Sequence, residues 1–335
     1  MPSTAIIIDA VVFETPCLVN GVPLKMAAKR YSPAASPLRT DEKTLIFLHA
    51  NGTHKEHWEP VISNILLSAK DVKECWALDF QSHGESALLN ERELTNFSPS
   101  ISDWARGVAG FVETHLRDKR IVIIGHSAGT SAAMFSTKCY RSDTHPYECI
   151  ILVEPPMIDR HVFQAHLEDR KRQTSMLTKA VAAQRNSWDN RKAAFEYFSR
   201  RVPWKTWDSR VKAIHVNQGL RPLNPDDPLG TVTTRCSKYH ESASYTDFEP
   251  TFEAAEQIEK VCDAVPIHII YGKKDGLVPQ YSQDSLSDVS KGRKIASISR
   301  VLSGGHLLVQ EDPDALSAQI LSIINPYTHD GVHRL

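Results

Sequence analysis

One serine, one histidine and two carboxylates of this chain have the types and the order that covalent acyl chemistry needs. Ser127 stands in Gly125-His126-Ser127-Ala128-Gly129, directly behind four β-branched residues, Ile121-Val122-Ile123-Ile124, that read as a buried strand. Ala132, Ala133, Met134 and Phe135 follow and favour a helix. A sharp strand-to-helix turn at Gly-x-Ser-x-Gly lifts the serine hydroxyl above a sheet. A serine hydroxyl is a weak nucleophile at neutral pH, so it needs a base within hydrogen-bond reach and a third group to orient that base. His306, after the flexible pair Gly304-Gly305, is the expected base. Asp275, just past a strand that begins near Ile267, is the first choice of acid. Glu154, at the end of the strand Cys149–Val153, is its rival; its plainer role is to hold the Pro155-Pro156 bend or line the pocket. The backbone N–H groups of Asn51 and Ala128 are expected to converge on a developing oxyanion.

These residues require a sheet to carry them. Two strands near 5–13 and 24–31 read as an antiparallel edge turning at Asn20-Gly21. The buried strand Thr44–Leu48 ends in His49-Ala50-Asn51-Gly52, and a helix is expected at about 56–70. A strand at Cys75–Phe80 precedes a helix at about 100–116, capped by Ser100 or Ser102. After the serine strand come strands at 149–153, 266–271 and 296–302, and a last helix at 314–324. Strand and helix alternate as they do around a parallel sheet, and an eight-stranded, mostly parallel sheet flanked by helices is expected. From Met157 to about Pro250 the alternation stops. The expected division is therefore a core of residues 1–156 and 251–335 with a helical cap at 157–250, lying where ligands bind. Met157, Ile158, Trp204 and Trp207 are candidates to wall an apolar pocket. His49 is grouped with them, although a buried histidine fixing its loop is the simpler reading.

Composition excludes several functions. The 335 residues carry a formal net charge of −1, which gives no electrostatic case for nucleic acid or an anionic membrane. The 6 cysteines are scattered with no C-x-x-C, as free thiols in a reducing compartment would be. Apolar runs are too short for a membrane span, and Met1–Ala10 lacks the pattern of a signal peptide, so an intracellular protein is expected. His54 and His57 stand three apart with no third ligand in view, so neither a metal nor another cofactor is expected.

His49-Ala50-Asn51-Gly52, Asp79 with His83-Gly84-Glu85-Ser86, Gly125 to Gly129, Asp275 and Gly305-His306 together resemble the α/β-hydrolase superfamily. The string from His49 to Trp58, with Ile151-Leu152-Val153-Glu154-Pro155, resembles a fungal subgroup of peroxisomal lipase and toxin-cluster hydrolases. Ala50 stands where most of the superfamily has Gly, a departure expected to tighten the oxyanion loop. The resemblance implies hydrolysis of an ester, thioester or lactone of an apolar small molecule through an acyl-serine intermediate. The same triad also supports C–C bond hydrolysis, lyase or cyclase work, or an idle triad in a small-molecule receptor. Serine at the turn argues against epoxide hydrolase and dehalogenase chemistry. The ending His333-Arg334-Leu335 is similar to a Ser-Lys-Leu peroxisomal address and would engage an import receptor; the cytosol is the other expectation.

Overall fold

A computed structural model describes residues 5–34, 42–141, 145–273 and 277–325. The first two strands, β1 (Ile6–Val19) and β2 (Val22–Pro33), form a long antiparallel hairpin. Asn20 and Gly21 both take positive φ, 52° and 82°, the left-handed pair that matches the twist of a two-residue hairpin loop. Both strands run further than expected, because pairing continues beyond the apolar stretches from which they were read.

The central strands are β3 (Lys43–Leu48), β4 (Val72–Leu78), β5 (Arg120–His126) and β6 (Tyr147–Val153). β7 (Ser187–Trp188), β8 (Leu220–Pro222) and β9 (Val232–Thr234) lie in the inserted segment, and β10 (Ile267–Tyr271) and β11 (Ser297–Arg300) complete the core. The main sheet has the order β1-β2-β4-β3-β5-β6-β10-β11. Pairing is antiparallel out to β4 from the β1 edge and parallel from there on.

The unbroken apolar run of β5 has a simple cause. Ile121 and Ile123 face the layer containing Trp104, Val108, Phe111 and Ala255, while Val122 and Ile124 face the layer containing Ile62, Ile65, Leu316 and Ile320. A strand covered on both faces has no polar side to alternate with. Helix Ile101–His115 is capped by Ser100, whose hydroxyl accepts from Asp103 N while the Asp103 carboxylate accepts from Ser100 N, a reciprocal capping box. The helix expected at 56–70 begins as a 3₁₀ turn at Lys55–Trp58 and becomes α-helical over Glu59–Ser68, with Pro60 in its first turn.

Between β6 and β10 the chain forms helices Arg160–Ala165, Leu167–Ala183, Arg191–Arg200, Ser209–Gln218 and Lys238–Thr246. It also forms a three-stranded antiparallel sheet, β7-β9-β8, which corrects the expectation of helix and loop alone. Strands of two or three residues are too short to leave a period of two in the sequence. Trp188, Ala194, Phe198, Val216, Leu220 and Val232 give this segment a small apolar cluster of its own. The chain returns to the main core with helix Glu249–Val261, whose Ala254, Ala255 and Ile258 pack beside Ala132 and Ala133. Among the described residues no helix is long and apolar enough to cross a membrane.

Candidate active site

The turn that carries Ser127 is built by crowding. Ser127 has φ 50° and ψ −118°, a conformation L-residues avoid, and its N–H donates to Val153 O at 2.9 Å. A Cβ on Gly129 would stand 2.6 Å from Leu48 O and 2.7 Å from His49 O, and one on Gly125 would strike the Gly129 carbonyl. Only glycine lets β3, β5 and helix Ala128–Ser136 approach this closely.

Sheet order then selects the neighbours. β6 lies beside β5, with Val153 opposite His126, so Glu154 emerges one strand away from Ser127. Glu154 is also strained, at φ 53°, and its N–H donates to Ile270 O at 2.8 Å. Its buried carboxylate accepts from the Gly272 N–H through Oε1, and Oε2 stands 3.0 Å from His306 Nδ1. His306 Nε2 in turn lies 3.0 Å from Ser127 Oγ. The three side chains form one connected line, carboxylate to imidazole to hydroxyl. Asp275, preferred as the acid from the sequence, lies outside the described residues, as does the tail with His333-Arg334-Leu335. Among the described residues, the carboxylate that meets His306 is Glu154.

Two further residues hold the histidine loop. His126 Nε2 is 2.7 Å from the His306 carbonyl. Burial, reinforced by the neighbouring His306, lowers the His126 pKa to about 3, so the ring is neutral and its one N–H donates to that carbonyl. Glu311 Oε2 accepts from Gly305 N at 2.5 Å, and its other oxygen accepts from Thr206 Oγ1 at 3.0 Å, joining the inserted segment to this loop. Neither residue was singled out from the sequence. For His126 a signal existed, since the residue before Ser127 must point away from the hydroxyl and therefore beneath the turn.

The Asn51 loop is fixed from below. Lys55 is fully buried, with Nζ 2.8 Å from Asp79 Oδ2 and 3.0 Å from Glu56 Oε1. Burial opposes its charge, yet Asp79 and Glu56 hold its pKa above the ordinary lysine value. Asp79 also accepts from the N–H groups of Lys55 and Glu85, and Ser86 Oγ accepts from Ala27 N, so these polar residues tie loops together. His49 has the same structural use: its Nε2 accepts from Phe80 N at 3.0 Å and its Nδ1 meets Ala50 O at 2.7 Å. The Asn51 side chain donates to Glu241 O at 2.8 Å, which leaves the residue's backbone as the part free to serve the site. Ala128 opens its helix, so its N–H has no intrahelical acceptor.

Above these groups lies a cavity of about 340 Å³ bordered by Asn51, Ser127, Ala128 and His306 from the core. Ile158, Phe163, Val181, Trp204 and Trp207 border it from the inserted segment. Two of the expected wall residues do not reach it. His49 is buried below the loop, and Met157 belongs to the main core beside Leu152 and Tyr271. The physical reason is side-chain direction: its neighbours Pro156 and Ile158 border the cavity, and Met157 between them turns into the main core.

Residues 45–319 match the model of the alpha/beta hydrolase family. No curated protein sequence matches the chain. Among solved structures, the peroxisomal alpha-beta-hydrolase Lpx1 of Saccharomyces cerevisiae superposes with a TM-score of 0.78 at 18% identity, covering 99% of this chain and 92% of that one. An esterase of M. tuberculosis gives 0.62 at 16% identity over 94% of this chain and 92% of its own. A thioesterase domain from the curacin biosynthetic pathway gives 0.63 at 14% identity over 94% and 99%.

Proposed function

The chain belongs to the alpha/beta hydrolase family and is a hydrolase, and we propose that it cleaves an ester, thioester or lactone of an apolar small molecule through an acyl-Ser127 intermediate. The observation that carries this reading is the line Glu154–His306–Ser127, 3.0 Å at each step, opening into an apolar-walled cavity. His306 takes the Ser127 proton as the hydroxyl attacks the substrate carbonyl, then returns it to the leaving group. Glu154, rather than Asp275, orients the imidazole and stabilises its charged form. The N–H groups of Asn51 and Ala128 stabilise the tetrahedral oxyanion. Residues 157–250 act as a cap whose Ile158, Trp204 and Trp207 select the acyl group.

The test is active-site labelling with a fluorophosphonate, followed by p-nitrophenyl esters of increasing acyl length. A rapid acylation burst, absent in Ser127→Ala, is the expected result. Slow or absent acylation with the triad intact would replace this reading by the lyase or receptor alternatives. The peroxisomal protein among the structural relatives supports peroxisomal residence, with His333-Arg334-Leu335 as the segment to test. A fluorescent fusion lacking those three residues should lose punctate localisation; an unchanged pattern removes the idea.

A further inference from the structure

Three buried histidines meet where the inserted segment touches the core, and the proposed acyl transfer uses none of them. His54 and His57 belong to the loop and 3₁₀ turn after β3, and His215 comes from helix Ser209–Gln218 of the inserted segment. One ring nitrogen of each lies within 4.8 Å of the other two. His57 Nε2 is 3.2 Å from His215 Nδ1. Nitrogens on one tetrahedral zinc ion, each about 2.05 Å from the metal, stand about 3.3 Å apart. The His57–His215 pair is already at that spacing, and the third ligand would have to draw in by at most about 1.5 Å.

A second observation points to a ligand. His54 Nε2 is buried with no hydrogen-bond partner. The other nitrogen of that ring, Nδ1, is 2.8 Å from Glu56 Oε2. A carboxylate that takes the Nδ1–H leaves Nε2 as a bare lone pair, which is how metal-bound imidazoles are held by their outer partners. His57 is supported in a similar way. Its Nδ1 lies 3.1 Å from the Gln310 amide nitrogen, while Gln310 Oε1 has no partner. Turned about its terminal bond, that amide accepts from Nδ1–H through Oε1, and the His57 Nε2 lone pair faces the cluster. Hydrogen bonds among the three rings alone satisfy the His57–His215 contact and leave His54 Nε2 unmet. One cation would satisfy all three nitrogens.

We infer that His54, His57 and His215 form a binding site for a divalent transition-metal ion of the zinc class, fastening helix Ser209–Gln218 to the loop that carries Asn51. Three imidazoles select Zn²⁺, Co²⁺, Ni²⁺ or Cu²⁺ over the oxygen-seeking Mg²⁺ and Ca²⁺. His54 and His215 also border the cavity, which gives the ion a way in. Trp207 stands 5.3 Å, ring centre to ring centre, from both His57 and His215 and closes another side. With the ion bound, the inserted helix cannot lift from the oxyanion loop without breaking a metal–nitrogen bond. The ion takes no part in acyl transfer; it sets how firmly the cap is held.

The experiment uses the full-length chain, stripped with a chelator and titrated with Co²⁺ alone, then with competing Zn²⁺. One equivalent of Co²⁺ with the visible bands of a tetrahedral site is expected, displaced by Zn²⁺, with a rise in Tm and slower proteolysis within residues 157–250. His57→Gln and His215→Gln should each weaken Zn²⁺ binding by more than the roughly 10–100-fold that loss of an outer-shell partner brings. Glu56→Gln should fall within that 10–100-fold range. Fluorophosphonate labelling in the His57 and His215 variants reports that the fold and the triad are intact. Absence of a tetrahedral Co²⁺ spectrum in the unaltered protein overturns the proposal without recourse to any variant. Unchanged Zn²⁺ affinity in both histidine variants overturns it as well, since the ion would then sit elsewhere.

Discussion

The turn at Ser127 and the inserted segment above it are held by different physics. Around the turn, backbone meets backbone: glycines at 125 and 129 sit against carbonyls, Ser127 and Glu154 are pinned at positive φ, and the surrounding strands are covered on both faces. The inserted segment has a cluster of six buried apolar residues, a smaller one in which Ile158 and Phe163 meet Phe252, and strands of two or three residues. Its other attachments to the core include those made by individual side chains, such as Thr206 to Glu311 and the ring contacts of His215. A reacting hydroxyl must be placed to within a fraction of an ångström, so it is carried by the part that cannot move. The role proposed for the inserted segment, admitting and releasing substrate, suits the part with fewer buried contacts.

The sharpest break in this contrast comes from the acid. Glu154→Gln is expected to lower kcat by about 10³–10⁴-fold, because the amide cannot stabilise the imidazolium and favours the wrong tautomer. Asp275→Asn should stay within about tenfold of the unaltered enzyme. Steady-state kinetics on the pair separate the two carboxylates, and the reverse ranking would return the role to Asp275. Next comes the turn. Gly129→Ala forces a methyl group against Leu48 O and His49 O and should destabilise the fold by about 1–3 kcal/mol or more, with loss of acylation. Denaturant unfolding measures the first effect and fluorophosphonate labelling the second.

In the inserted segment the order of effects reverses. Phe198→Ala removes a ring packed on Trp188 and Trp204 and should loosen the segment by about 3–5 kcal/mol. Because the main core is untouched, limited proteolysis of 157–250 and KM should respond more than global unfolding or the acylation rate. A global loss equal to the local one would show that the inserted segment and the core unfold as a unit.

The smallest effect expected is in acid. Burial lowers His126 to about 3 and His49 to about 4 from an ordinary value of 6.5. The unfolded chain therefore binds more protons than the folded one between pH 6.5 and about 3. The stability these neutral rings allow is fully present above pH 6.5 and is lost as pH falls through that window. Urea unfolding of His126→Asn against the unaltered chain from pH 7 to 4 should show a shallower decline in the variant. Parallel slopes would deny His126 its share.

Much of the core could be read directly because its signals are local. Ile121–Ile124 with Gly125 and Gly129 named the strand and its turn, Asn20-Gly21 named the hairpin, and Ser100 or Ser102 named a helix start, of which Ser100 is the cap. Each rests on sterics or hydrogen bonds within a few residues. The candidate site was legible as a set of residue types, with Ser127 and His306 singled out and then found 3.0 Å apart. That Glu154 would stand at His306 was not legible, because Asp275 and Glu154 both follow strands and it is lateral sheet order that puts Glu154 beside Ser127.

By itself, then, the sequence determined the alternation of strand and helix, the glycine-walled turn and the stock of nucleophile, base and carboxylates. These follow from backbone sterics and from burial on two faces, which act residue by residue. Only the tertiary structure showed that Glu154 meets His306, which residues of the inserted segment reach the cavity, and that His215 joins His54 and His57. Those contacts are closed across more than a hundred residues of chain, 152 between Glu154 and His306 and 158 between His57 and His215. The physical reason is that a side chain's partner at that separation is chosen by how layers pack, and no local periodicity encodes it.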